Sequence, residues 1–252
     1  MSEKVAAFIV NYNMPERTDA LYKSISRTKW PLDIYVIDNA SDIAEPSQYT
    51  NIWLPENKQT TGGWLAGLDV AANGLDYFAY WFLITSAEYP SPNKQEAFAG
   101  PDHLYPLAEW LTLEPDAVVV HPALTDDSTT HWKHMISKDG KSYRRTWMVD
   151  NIAALYRADW FDKIGRFDPA LVYGWGIDLE TCYLARKDGR SIWICEDDQI
   201  KKVTDIGYKM DRMNMTAGLR RSKASANMEQ VLGARYGRYW HRTLENDYTD
   251  WR

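Results

Sequence analysis

The stretch VAAFIVNYNMPERTDALYKSISRTKWPLDIYVIDN, residues 5–39, decides how this chain folds. It opens with an apolar, β-rich run, Val5 to Val10, that stops at the polar Asn11-Tyr12-Asn13. Pro15 then opens a helix-like segment, PERTDALYKSISRT, because proline fits a first helical turn, where its missing N–H is not needed. After Trp30-Pro31 a second β-rich run, Asp33 to Ile37, ends at Asp38-Asn39-Ala40-Ser41, a cluster of turn formers. Two strands joined through a helix predict a parallel βαβ unit, whose ligands bind in the crevice outside the carboxyl ends of the strands. Asn11 and Asp38 stand at those ends.

The same alternation continues outward. Asn51 to Leu54 reads as a short strand, and Thr61-Gly62-Gly63-Trp64 leads into a helical pattern, LAGLDVAANGL. Glycines at a helix start let a ligand approach the backbone closely, which makes Gly63 a candidate donor contact. Tyr77 to Thr85 is apolar throughout, the pattern of a central strand buried on both faces, and it ends at Ser86-Ala87-Glu88. Ser91 to Pro106 reads as a loop, Leu107 to Leu113 as a helix and Ala117 to Val120 as a strand. Thr125 to Arg145 is polar and aperiodic, the pattern of an excursion over a site; His131 and His134 lie in it, as solvated side chains or as metal ligands. Asn151 to Tyr156 reads as a strand, followed by a helix through Trp160, a helix carrying Asp178 and Glu180, and a last strand, Ser191 to Cys195. The expected division is a domain over 1–203 and a basic, aromatic helical extension over 204–252 packed on it.

Composition limits the function classes. Of 252 residues 45% are apolar, enough for a sizeable core, and 12 Trp with 16 Tyr are spread along the chain, mostly for core packing. Lys and Arg number 29 against 35 Asp and Glu, so no overall positive field exists to hold a polyanion. A local basic patch remains: Lys201, Lys202, Lys209, Arg212, Arg220, Arg221, Lys223, Arg235, Arg238 and Arg242 form either a solvated helical face or a surface for anionic headgroups or modified DNA. Cys182 and Cys195 are too few for a disulfide framework and lack metal-ligand spacing, so they are expected reduced and buried. No signal peptide and no membrane span is legible, which predicts a soluble, cytoplasmic protein.

The motifs VAAFIVNYN, YVIDNASD, NKQTTGGWLAG, FLITSAEYP and FDPALVYGWGIDLETCYLARKDGRSIWIC together resemble the family-2 inverting glycosyltransferases of GT-A fold, in particular their rhamnosyltransferase-like group, from about Val5 to Lys202. The resemblance implies an α/β fold with a mostly parallel central sheet flanked by helices. It implies a nucleotide-sugar donor, a UDP-sugar foremost, and a glycan, lipid-linked or other hydroxyl acceptor. By the same resemblance Asn11, Tyr12 and Asp38 hold the nucleobase, Trp64 shapes the donor side, and Asp178 is the catalytic base. Trp175, Gly176 and Glu180 fall on the acceptor side; two helical residues two apart point about 200° from each other, so Asp178 and Glu180 do not both face the acceptor. The family's metal motif falls on Ser86-Ala87-Glu88, where only Glu88 keeps a carboxylate, and Lys202 stands where the family has a metal-binding histidine. A protonated lysine cannot ligate a cation. It can neutralise a diphosphate, so the expectation is weak or no dependence on Mg²⁺ or Mn²⁺, the rival being a metal held by Glu88 and water. A catalytically inactive binding or scaffold module, and a transferase acting on modified nucleic-acid bases, remain as alternatives. A nucleotidyltransferase would need a basic glycine-rich loop near the first strand, which NYNMPERTD does not supply.

Overall fold

Residues 5–39 form the expected unit: β1 (Val5–Asn11) and β2 (Leu32–Asp38) run parallel, with Val5 opposite Leu32 and Asn11 opposite Asp38, and α1 (Pro15–Ile25) connects them. The computed structural model describes residues 3–73, 76–90, 101–138, 140–203 and 216–245. In chain order the remaining elements are β3 (Ile52–Trp53), α2 (Gln59–Ala71), β4 (Ala79–Ile84), β5 (Ala87–Glu88), α3 (Tyr105–Leu113), β6 (Ala117–Leu124), β7 (Tyr143–Thr146), β8 (Ala153–Arg157), α4 (Ala158–Lys163), α5 (Ile177–Lys187), β9 (Ser191–Lys202), α6 (Ala217–Tyr236) and α7 (Trp240–Glu245).

One sheet carries the molecule, in the order β3-β2-β1-β4-β8-β6-β9-β5, with β7 paired to β9. It is parallel from β3 to β4. Beyond β4 the expected mostly parallel sheet becomes mixed: β8 is antiparallel to both neighbours, β6 and β9 are parallel, and β5 and β7 run against β9. The reason lies in the connections. The chain leaves β6 at the crevice, runs back along β9 in β7 as far as Thr146 opposite Ile192, and returns to the crevice by Asp150, so it enters β8 from the crevice end.

Apolar residues explain the layers. β4 and β8 are buried almost throughout, and Phe82 of β4 is packed by Phe8, Trp64, Tyr156, Phe161 and Phe167, with ring centroids 4.7–5.7 Å away. Much of the aromatic content therefore fills the core. Helix α1 buries Thr18, Leu21 and Ile25, one helical stripe.

Several boundaries differ from the sequence expectation. Helix α2 begins at Gln59, so Gly62 and Gly63 lie inside it rather than at its start. Their use is packing: a Cβ on Gly63 would come 2.9 Å from Val10, and one on Gly67 would come 2.8 Å from Phe8, so small residues let α2 lie directly on β1. The excursion is more ordered than expected, carrying a 3₁₀ turn (Lys133–Met135) and β7. Strand β9 extends through Lys202, well past Cys195. Of the expected loop 91–106, residues 91–100 lie outside the described residues, as do the proposed boundary at 204 and Lys209 and Arg212. Both cysteines are free and buried.

Helix α6, capped by the Thr216 hydroxyl accepting from Leu219 N–H, is tied down through its far half. Arg235 pairs with Glu180 and Asp168, the Tyr236 hydroxyl donates to Glu180 at 2.8 Å, and Asn227 donates to the Ala170 carbonyl at 2.9 Å.

Glycine packing yields a signed prediction. Gly63→Ala and Gly67→Ala should each lower stability by about 1–3 kcal/mol through overpacking, against a helix-propensity gain of up to about 1 kcal/mol. Gly233→Ala, in α6, where a Cβ meets only Trp240 at 3.9 Å, should gain stability. Urea unfolding midpoints of the three variants check the opposite signs.

Candidate active site

The carboxyl ends of β1, β2 and β4 open onto a cavity of about 770 Å³, a size suited to a nucleotide sugar. Val10, Tyr12, Met14, Leu83 and Trp64 give it an apolar wall, and Asn39, Asn57, Ser86 and Asn151 give polar groups. Thr129 to Trp132 of the excursion and Arg220, Arg221, Ala224 and Met228 of α6 also line it.

At its base stands Asp178, in the first turn of α5. The turn begins at Gly176, whose φ of +87° is in the left-handed region; a Cβ there would also come 2.9 Å from Met228. Asp178 is 8% exposed and accepts from the Leu179 N–H at 2.9 Å. Burial, and next the negative charge of Asp150, push its pKa up to about 7, with Lys202 acting the other way. Lys202 Nζ lies 2.5 Å from Asp150 Oδ2, so two carboxylates and one ammonium share the base of the cavity.

Asp150 was not singled out from the sequence. It precedes β8, and because β8 runs antiparallel its entering end, rather than its carboxyl end, faces the crevice. The backbone there is held by the Ile84 N–H donating to the Ile152 carbonyl at 3.0 Å and the Ala153 N–H donating to His121 Nε2 at 3.1 Å. His121 is fully buried, and desolvation lowers its pKa to about 4, so it stays neutral and free to accept that bond. Two N–H donors in residues of the wall, Trp64 Nε1 and Asn151 Nδ2, have no hydrogen-bond partner among the described residues.

The sequence candidates separate into two sets. Tyr12, Trp64, Ser86, Lys202, Trp175, Gly176 and Asp178 all line the cavity. Asn11, Asp38, Gly63, Glu88 and Glu180 do not. Asn11 and Asp38 are buried against one another, Asn11 Nδ2 donating to Asp38 Oδ1 at 2.9 Å, and the remaining Asp38 oxygen accepts from the Ser41 N–H at 2.9 Å. Gly63 is packed on Val10. Glu180 points away from Asp178, as their spacing on the helix requires, and anchors Arg235 and Tyr236. Glu88 is exposed on β5, opposite Lys201, with Arg17 3.7 Å away. His131 lines the cavity, whereas His134 is hydrogen-bonded to the Met148 carbonyl at 3.0 Å, so the two do not form a ligand pair. Arg220, Arg221 and Arg235 of the basic segment turn toward the cavity or into ion pairs, which leaves a nucleic-acid surface without support. No helix among the described residues is long and apolar enough to cross a membrane.

No protein-family model matches the chain. Over 117 residues, 40% of this chain and 45% of theirs, it is 28% identical to an uncharacterised protein of Mycobacterium tuberculosis and to one of Mycobacterium bovis. The chain thus matches less than half the length of these curated relatives. Solved structures give broader likenesses. GalNAc-T7 with UDP, GalNAc and Mn²⁺ superposes with a TM-score of 0.65 at 11% identity, over 94% of this chain and 49% of that one. A mannosyltransferase of Pyrobaculum calidifontis in complex with GDP-Man and Mn²⁺ gives 0.56 at 13% identity, over 96% and 74%. S. aureus TarS, residues 1–349, gives 0.56 at 12% identity, over 92% and 72%. The fold is the GT-A glycosyltransferase fold, mixed α/β with a central sheet flanked by helices.

Two of those structures hold Mn²⁺; among the described residues, those at the expected metal positions do not fit such an ion. Glu88 lies off the cavity, Lys202 occupies the expected histidine position with its ammonium on Asp150, and the described residues include no group of three or more His, Cys, Asp or Glu able to hold a metal.

The shifted carboxylate fixes a pH dependence. An aspartate whose folded pKa rises from 3.8 to about 7 gives a contribution that is fully present below pH 4 and is lost as pH rises through 7. Asp178→Asn should therefore gain stability over the natural protein as pH rises from 4 to 8, by on the order of 2–4 kcal/mol. Urea unfolding of both proteins at pH 4, 6 and 8 checks that the gap widens upward.

Proposed function

We propose that this chain transfers a sugar from a nucleotide-sugar donor, a UDP-sugar, to an acceptor hydroxyl of a glycan or lipid-linked glycan, with inversion at the anomeric carbon. The observation that carries the reading is Asp178: a carboxylate on the wall of a cavity of nucleotide-sugar size, in a GT-A fold, held near the pKa a general base needs at neutral pH. Two of the similar structures hold UDP or GDP-Man, which supports a nucleoside diphosphate donor.

In the proposed reaction the acceptor oxygen attacks the anomeric carbon from the face opposite the diphosphate. The bond from that carbon to the diphosphate oxygen breaks with its electron pair, and the acceptor proton passes to Asp178. A glycoside of inverted configuration and a nucleoside diphosphate result; Asp178 then releases its proton to solvent. Tyr12, Trp64 and Ser86 face the donor, while Trp175 and Gly176, adjoining the base, face the acceptor. Asn11, Asp38 and Gly63 act from behind the wall by fixing its backbone. Lys202 supplies positive charge where the diphosphate leaves; a placed charge stabilises that anion.

Donor turnover with water as acceptor tests this without knowledge of the natural acceptor. Asp178→Asn should lower turnover about 10²–10⁴-fold, with binding of the nucleoside diphosphate retained, and the sugar first released should carry the inverted anomeric configuration by NMR. Equal turnover by the variant removes Asp178 as base; donor binding with no turnover of any nucleotide sugar would make the chain a binding module.

Because Glu88 lies off the cavity and a lysine takes the expected histidine position, turnover should persist in excess EDTA, while Lys202→Met should lower it at least tenfold. Abolition by EDTA and recovery with Mn²⁺ would return the metal, and Glu88 with it, to the site.

A further inference from the structure

A diphosphate carries more charge than Lys202 alone can balance, particularly as Lys202 already contacts Asp150. Helix α6 brings two more cations to the same cavity, Arg220 and Arg221. Arg220 is held in place by Nη2 donating to Gln59 Oε1 at 3.1 Å, and Gln59 itself lines the cavity at the start of α2. The helix cannot slide away easily, since Met228 and Leu232 pack on Gly176 beside the base and Arg235 closes on Glu180 and Asp168. Among the described residues, the carboxylates on the cavity are Asp150, bound to Lys202, Asp178 and Glu245. Set beside them on the same cavity are three cations, Lys202, Arg220 and Arg221, where a diphosphate would lie. Guanidiniums are well suited to such a ligand, because their planar fork binds phosphate oxygens in pairs.

We infer that Arg220 and Arg221 form, with Lys202, a side-chain clamp for a diphosphate, so that a helix outside the sheet completes the donor site and supplies charge that would otherwise come from a metal. The inference rests on the donor being a nucleoside diphosphate sugar, as proposed above. It assigns α6 a ligand rather than a surface role.

Calorimetric titration of the full chain in EDTA with UDP, uridine and inorganic pyrophosphate tests it. The natural protein should bind UDP and pyrophosphate. Arg220→Gln/Arg221→Gln should weaken both at least tenfold and leave uridine binding within about twofold, and Arg220→Lys/Arg221→Lys should recover part of the loss. Lys223→Gln, an exposed charge on the same helix that does not line the cavity, should bind like the natural protein. Circular dichroism confirms folding, and if the double variant fails to fold, Arg221→Gln alone, which spares the Gln59 contact, should still weaken UDP at least threefold. Unchanged UDP affinity in the folded arginine variants overturns the clamp and leaves the transferase reading standing. Pyrophosphate bound through the arginines without any UDP binding upholds the clamp and removes the nucleotide donor. A natural protein that binds neither UDP nor pyrophosphate overturns both.

Discussion

The side chain of Asn11 is the constraint on which the crevice depends. It is fully buried at the carboxyl end of β1; Oδ1 accepts from Met14 N–H at 3.2 Å and the Thr18 hydroxyl at 2.9 Å, and Nδ2 donates to Asp38 at 2.9 Å. One amide thus joins the end of β1, the first turn of α1 and the end of β2. Leaving those buried groups unmade would cost about 1–3 kcal/mol each. Asn13 extends the same device: in the left-handed region, which asparagine tolerates, its Oδ1 accepts from the Asp42, Ile43 and Ala44 N–H groups and so shapes the loop after β2. Polar residues at strand ends look alike in a sequence whether they touch a ligand or hold the backbone that does. At Asn11 and Asp38 they hold the backbone.

The amino-terminal half was legible because its signals are local: apolar runs ended by turn formers, a proline opening a helix, and an alternation that implies parallel strands. The mixed half was less so. Nothing local in Asp150-Asn151 marks them as site residues; they reach the cavity because β8 is entered from the crevice side, a fact of topology set by the path of the excursion before it. A search restricted to carboxyl ends of strands passes over them. The glycines of α2 show the converse, since the residue type was read correctly as permitting close approach, but what approaches is β1. Glu180 was separable from Asp178 by helical angle alone, although its partner, Arg235, lies 55 residues away and is invisible to any local pattern.

The anchor at Glu180 joins scaffold to site. Glu180 is buried but Arg235 is 45% exposed, so solvent screens the pair from one side, and it holds α6 together with the Tyr236 and Asn227 hydrogen bonds rather than alone. The consequence is that Met228 and Leu232 press on Gly176, which must remain glycine both for its backbone angle and for the space. Gly176 starts α5 two residues before Asp178. The proposed base and the helix that carries the proposed clamp therefore share a packing contact, Met228 and Leu232 on Gly176.

Charge at the base of the cavity follows from the same economy of space. Asp150 raises the pKa of Asp178 and Lys202 lowers it, so the affinity of Asp178 for a proton depends on where the lysine spends its charge. In the proposed reaction a diphosphate competes with Asp150 for Lys202. As the ammonium turns to the phosphate oxygens, Asp150 is left less compensated, and the diphosphate adds negative charge of its own; both changes strengthen Asp178 as a base. A stronger base takes the acceptor proton more completely but is ionised less often, and near neutral pH these effects oppose each other. Arg220 and Arg221 bear on that balance, since cations beyond Lys202 neutralise the diphosphate without drawing the lysine wholly from Asp150. A site with Lys202 alone would have to choose between holding the leaving group and keeping its base ionised, whereas three cations on one cavity allow it to do both.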